Sequence, residues 1–240
     1  MRGVVRVKSR KTVTPLMVRI TFDTADFGDF ALRYPAHAVK LFVPQAGSDA
    51  GVARTYTVRR HDPDLHEMDV DFLLHGHGPA AAWAQQAGAG DTIELAGPRA
   101  GFDRHAQADW QLMIGDATAI PAIATMIESL PAGDRAVAYI AVRDAQEEQP
   151  ITTRADARIV WVHVDTDHVD QTASALDEAL DAAQWPDGEA QVFIAAESSV
   201  VRRLRARFPK AGDTGQAPRV AQLHATGYWK RGAEDYHDHH

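Results

Sequence analysis

Three short segments of the chain combine residue types that can hold a phosphorylated, planar cofactor. Arg54-Thr55-Tyr56-Thr57 puts a guanidinium, a flat phenol ring and two hydroxyls within four residues. On an extended strand Arg54 and Tyr56 share one face and Thr55 and Thr57 the other. Such a set can grip a phosphate, lie against a ring and hydrogen-bond its edge. A solvated strand with a half-buried tyrosine satisfies the same pattern. His75-Gly76-His77-Gly78-Pro79-Ala80-Ala81-Ala82-Trp83 follows a strand and opens a helix. Glycine permits close backbone approach there, and the free amides of a helix start attract a phosphate, although a simple proline-started turn reads alike. His75 and His77 are two imidazoles without a third ligand nearby, so no metal site is expected. Gly115-Asp116-Ala117-Thr118-Ala119-Ile120-Pro121-Ala122 sits between a strand and a helix, where parallel sheets bind nucleotides. Thr118 is the expected helix cap, and a plain capped turn is the alternative.

The elements that must position these segments change character along the chain. Val4–Val7, Met17–Phe22, Val39–Val43, Arg54–Arg59, Met68–Leu74 and Thr92–Leu95 carry short strand patterns separated by turn residues. They predict an antiparallel six-stranded barrel interrupted by one helix, Pro79–Gln86. After Gly101 come strands apolar enough to be buried on both faces: Gln111–Ile114, Arg135–Val142, Arg158–Val164 and Gln191–Ala195. Helices are expected at Ile120–Ser129, Ala173–Ala183 and Ser199–Phe208, with a last strand at Arg219–His224. That alternation predicts a parallel-sheet α/β domain. The boundary is expected near Phe102–Ala108, giving domains 1–105 and 106–240.

Composition narrows the chemistry. The chain has 240 residues, enough for one or two domains, with 45% hydrophobic and 24% charged residues. It has no cysteine, which removes disulfides, thiol catalysis and cysteine-ligated clusters, so redox chemistry would need a borrowed cofactor. The net charge of −8 argues against nucleic acid as a partner. The longest apolar run, Ala136–Val142, is far short of the roughly 20 residues of a membrane span. Charges break up the first eight residues, so no signal peptide is expected, and the expectation is a cytoplasmic protein without a membrane partner. Arg202, Arg203, Arg205, Arg207 and Lys210 form either a solvated face or a dock for an acidic electron carrier. The ending Tyr236-His237-Asp238-His239-His240 could bind a metal adventitiously, and a disordered terminal tail is the stronger expectation.

Taken together, these segments resemble the siderophore-interacting protein family, the ferric-siderophore reductases of the ferredoxin-reductase superfamily. The resemblance rests on Arg54-Thr55-Tyr56-Thr57-Val58-Arg59, Asp69–Gly76, Gly78–Ala84 and Leu95-Ala96-Gly97-Pro98-Arg99. It continues through Gly115–Ala122, Ala195-Ala196-Glu197-Ser198 and Gly227-Tyr228-Trp229-Lys230-Arg231-Gly232, in order across about three quarters of the chain.

The resemblance implies FAD as cofactor, with Arg54 at its phosphates, Tyr56 against the isoalloxazine and Thr57 near the reactive nitrogen. Thr55, Asp71, Leu73, His75, Gly78, Pro79, Ala80 and Trp83 complete the implied FAD set. Gly115, Asp116, Thr118, Ala119, Glu197 and Trp229 would form the side where NADH or NADPH docks. Lys40, Arg99, Lys230 and Arg231 are candidate cations for an anionic ferric siderophore, chosen for proximity to the flavin. No general acid or base is assigned. The expected activity is reduction of a ferric siderophore to release Fe(II), by a monomer, with a ferredoxin as another possible donor. A flavin reductase with a non-iron acceptor, or a siderophore- or flavin-binding protein without turnover, are the competing expectations. After Val142 the segment Arg143-Asp144-Ala145-Gln146-Glu147-Glu148 holds both an arginine, suited to NADPH, and acids, suited to NADH. The choice of donor stays open.

Overall fold

A computed structural model describes residues 1–28, 30–45, 48–74, 78–99, 101–208 and 217–233. His75, Gly76, His77, Lys210 and the tail 236–240 lie outside the described residues. Two compact units divide the chain, Met1–Asp103 and Arg104–His240, with Ala124–Met126 grouped with the first.

In the first unit, β1 (Arg2–Thr14), β2 (Met17–Asp23), β3 (Ala38–Gln45), β4 (Ser48–Asp62), β5 (Glu67–Leu73) and β6 (Thr92–Arg99) close into a barrel. Its strand order is β1-β2-β5-β4-β3-β6, with every pair antiparallel. Alternate residues point inward, so Val5, Val7, Val18, Ile20, Phe22, Val39, Leu41, Val43, Val70, Phe72 and Leu95 are buried together. The helix α1 (Pro79–Gln86) starts at the proline and buries Ala80 and Ala84. Strand β1 is far longer than the expected Val4–Val7. Register shifts between Val7 and Ser9 and between Thr12 and Thr14 break its alternation, and the exposed run Lys8–Thr12 carries no strand period.

The second unit is a five-stranded sheet, order β11-β10-β7-β8-β9, in which every pair is parallel. The strands are β7 (Trp110–Asp116), β8 (Arg135–Val142), β9 (Asp156–His163), β10 (Glu189–Glu197) and β11 (Arg219–Trp229). The helices are α2 (Ile120–Glu128), α3 (Val169–Asp181) and α4 (Ser198–Arg205). Strands β7, β8 and β10 are buried almost throughout, as expected for parallel strands covered on both faces. β9 corrects the sequence expectation: it is an edge strand and half-exposed along its length. Leu176, Leu180, Val200, Val201 and Leu204 of α3 and α4 pack in one core with Trp110, Leu112, Ile114 and Val192. Arg203 and Arg207 of the basic stretch reach Asp177 on α3, at 2.6 and 3.2 Å. Among the described residues no helix is long and apolar enough to cross a membrane.

Candidate cofactor and nucleotide sites

The barrel register sorts the first segment into two faces. Arg54 pairs with Leu41 and Tyr56 with Val39, both core-facing, whereas Thr55 pairs with Lys40 and Thr57 with Ala38. The Tyr56 ring packs on Phe72 at 4.4 Å between centroids, and Phe72 leads to Trp83 at 5.7 Å. Trp83 in turn stacks parallel to Phe22 at 6.3 Å. Tyr56 keeps part of its surface open, yet its crowded surroundings raise the phenol pKa well above the ordinary value, with the Arg54 charge opposing. The ring is therefore a neutral aromatic surface. Arg54 Nη1 donates to the Ala53 carbonyl at 2.9 Å.

Helix α1 begins without a side-chain cap. Gly78 occupies the capping position with φ −64° and ψ 148°, and a Cβ built there would meet nothing within 4 Å among the described residues. That glycine is not demanded by backbone strain or packing, so its lack of a side chain keeps space open at an uncapped helix start. Within this unit a guanidinium, a helix start without a side-chain cap and a half-open aromatic face are each of a kind that fits part of FAD.

The other implied FAD residues divide. Asp71 is buried, and both its oxygens receive Arg19: Nε to Oδ1 at 2.6 Å and Nη2 to Oδ2 at 2.8 Å. The two face each other across β2 and β5, so this carboxylate anchors the strand pair. Leu73 ends β5 opposite Met17. Pro79 and Ala80 form the first turn of α1. Arg19 and Phe72 are not among the residues expected from sequence: Phe72 adjoins Asp71 and Leu73 in the chain, whereas Arg19 meets Asp71 only through the β2–β5 register. Lys40 is half-buried on β3 beside Thr55, and Arg99 is exposed at the end of β6 opposite Ala38. Lys230 and Arg231 are exposed after β11 in the second unit.

In the second unit, Asp116 ends β7 and gathers four donors. Its Oδ1 accepts from Thr118 N at 2.9 Å and Thr118 Oγ1 at 2.5 Å; its Oδ2 accepts from Glu197 N and Trp229 Nε1, both at 2.9 Å. The expected roles are thus exchanged: Asp116 is the cap and Thr118 its donor. An aspartate acceptor beside two amides outcompetes a hydroxyl that must also donate. Gly115 is required by packing, since a Cβ there would lie 2.5 Å from Ala119 Cβ and 2.7 Å from the Ala195 carbonyl. Ala119 is buried in the turn that follows. Glu197 caps α4, accepting from Ser199 N and Oγ at 2.5 Å, from Val200 N at 3.3 Å and, through Oε1, from Arg231 N at 3.2 Å. Burial pushes its carboxyl pKa up, but the Ser199 donors, with Arg231 and Val200, outweigh that and hold it below the ordinary glutamate value.

Comparison with known proteins covers both units. The siderophore-interacting FAD-binding domain matches residues 6–52 and 48–102, and the siderophore-interacting protein domain matches residues 108–232. The chain is 28% identical over 255 residues to the ferric vibriobactin reductase of Vibrio cholerae, covering 95% of this chain and 90% of that protein. It is 27% identical over 220 residues to an NADPH-dependent ferric-chelate reductase of Escherichia coli, covering 87% and 82%. The crystal structure of a siderophore utilization protein from T. fusca superposes with a TM-score of 0.84 at 29% identity, covering 97% of this chain and 94% of that one.

Proposed function

The chain belongs to the siderophore-interacting protein family, and from that premise we propose that it is an FAD-dependent reductase of ferric siderophores drawing electrons from a nicotinamide. The single observation that carries this reading is the open, uncapped start of α1 at Gly78 in the same unit as Arg54 and Tyr56, within the matched FAD-binding domain.

Bound FAD supplies the exchange between a two-electron donor and a one-electron metal acceptor. The chain's own residues bind and orient. Arg54 and the α1 start would hold the phosphates, since a guanidinium and backbone amides both favour anionic oxygen. Tyr56, backed by Phe72, offers a rigid face to the ring system and stays protonated through the neutral range. Thr57, nearly buried on the opposite face of β4, has a hydroxyl suited to the ring's edge. The substrate iron needs no ligand from the protein, because the siderophore already surrounds it. Adding one electron converts Fe(III) to Fe(II), which the siderophore's hard oxygen ligands hold less tightly. Lys40 and Arg99 are the barrel's candidate cations for an anionic ferric complex, and Lys230 and Arg231 are, separately, those of the second unit.

The test is purification followed by titration. The protein should carry a yellow flavin spectrum and release FAD on denaturation, or take FAD up when added to the colourless form. A protein that neither retains nor binds FAD contradicts the reading.

A further inference from the structure

The carboxyl edge of the parallel sheet carries a row of turn-capping carboxylates. Each of the turns leaving β7, β8, β9 and β10 is capped by an acid of its own: Asp116 on Thr118 N, Asp144 on Gln146 N, Asp165 on Asp167 N and Glu197 on Ser199 N. In open α/β sheets this edge is where dinucleotides bind, and an acid after an early strand takes the ribose 2′-hydroxyl, while an arginine takes a 2′-phosphate. Both residue types follow β8 here, and the structure shows what each is doing.

Arg143 is the one Lys or Arg in the segments 143–148 and 164–168 that leave β8 and β9, against Asp144, Glu147, Glu148, Asp165 and Asp167. Its Nη2 is held by Asp167 Oδ2 at 3.0 Å. His163 Nε2 lies 2.8 Å from Glu148 Oε1, and His168 Nδ1 lies 2.9 Å from Asp165 Oδ2, so the rim's histidines also face carboxylates. The Asp167 amide, helped by His168 and Arg143, holds the Asp165 carboxyl below the usual aspartate range. Residues 143–148 and 164–168 therefore hold an excess of acids, and the guanidinium among them, that of Arg143, is already paired.

We propose that Asp144 and Asp165, with Asp167 holding Arg143, are specificity-determining residues that make this chain select NADH, with its free ribose 2′-hydroxyl, over NADPH. This rests on the reading of the second unit as the nicotinamide-binding unit. A 2′-phosphate adds about two negative charges to a rim that has no free cation among these two segments to receive them. A ribose hydroxyl can instead donate to a carboxylate. The relative from Escherichia coli that is described as NADPH-dependent would then differ from this chain in donor choice.

The test is calorimetric titration of the FAD-loaded protein with NAD⁺ and with NADP⁺ at low ionic strength, where exposed charges are least screened. NAD⁺ should bind about tenfold more tightly than NADP⁺, with the gap narrowing as salt is added. Asp167→Ala releases Arg143 and should raise NADP⁺ affinity several-fold relative to NAD⁺. Asp165→Asn keeps an acceptor for the turn amide and should shift the ratio the same way. Equal or tighter binding of NADP⁺ by the unaltered protein, or no binding of either nucleotide, overturns the proposal. The reductase reading is judged separately: chemically reduced, FAD-loaded protein that converts a ferric siderophore to Fe(II) sustains it even when neither nucleotide binds.

Discussion

The indole Nε1 of Trp229 donates to Oδ2 of Asp116 at 2.9 Å, joining the last residue of β11 to the last residue of β7. β10 lies between them in the sheet, and its Glu197 amide donates to the same oxygen. One buried carboxylate thus ties three strand ends together, at the edge where the nucleotide is proposed to bind.

Removing that carboxylate should cost much more than removing one donor. Asp116→Ala leaves the Thr118, Glu197 and Trp229 donors without their acceptor and should lower unfolding free energy by about 3 kcal/mol. Trp229→Phe removes a single hydrogen bond and should cost about 1 kcal/mol. Urea unfolding of both variants measures the difference, and equal losses would show that Asp116 is not the hub.

Two glycines that look alike in sequence should behave oppositely. Gly115→Ala forces a methyl to within 2.5 Å of Ala119 Cβ and 2.7 Å of a backbone carbonyl, and should destabilise by about 2 kcal/mol or more. Gly78→Ala meets open space at a φ that any residue adopts, so it should leave the melting temperature within a few degrees while weakening FAD retention. Thermal unfolding and flavin titration of the pair separate a packing glycine from a cradle glycine.

Tyr56 is expected to act through its ring. Tyr56→Ala should weaken FAD binding by about 1–3 kcal/mol, while Tyr56→Phe should bind almost as well. Flavin fluorescence titration reads both. Loss of affinity in the phenylalanine variant as large as in the alanine variant would assign the role to the hydroxyl instead.

Glu197 gives the second unit a defined response to acid. Its folded pKa lies below the ordinary 4.5, so its stabilisation is complete above that value and is lost as pH falls through the folded pKa. Glu197→Gln should therefore be less stable than the unaltered protein at pH 7, and the difference should shrink below about pH 4.5. Urea midpoints from pH 7 to pH 3 test this, and a constant difference across the range would contradict it.

How much of this was legible in the sequence depends on how local each cause is. Helix α1 and strand β8 begin and end where expected, because Pro79 sets a helix start and Ala136–Val142 is one unbroken apolar run behind Arg135. The two faces of Arg54–Thr57 follow from strand alternation alone. Only Val4–Val7 of strand β1 carries a legible strand period, because its bulges disturb the alternation beyond. β9 was expected to be buried because apolar content does not say which strand ends a sheet. The part played by Asp116 was out of reach, since two of its partners lie 81 and 113 residues further along the chain. The split of the acids and arginine after β8 is likewise not local, since Arg143 pairs with Asp167, 24 residues further along the chain.

The central claim is that this chain passes electrons through FAD to siderophore-bound iron. Its most direct test is anaerobic turnover of the FAD-loaded protein with NADH and a ferric siderophore in the presence of a ferrous trap. The account predicts bleaching of the flavin absorbance by NADH, then its return as the Fe(II)–trap complex accumulates when a ferric catecholate or hydroxamate is added. A reduced flavin that persists with every ferric siderophore and yields no trapped Fe(II) would contradict it.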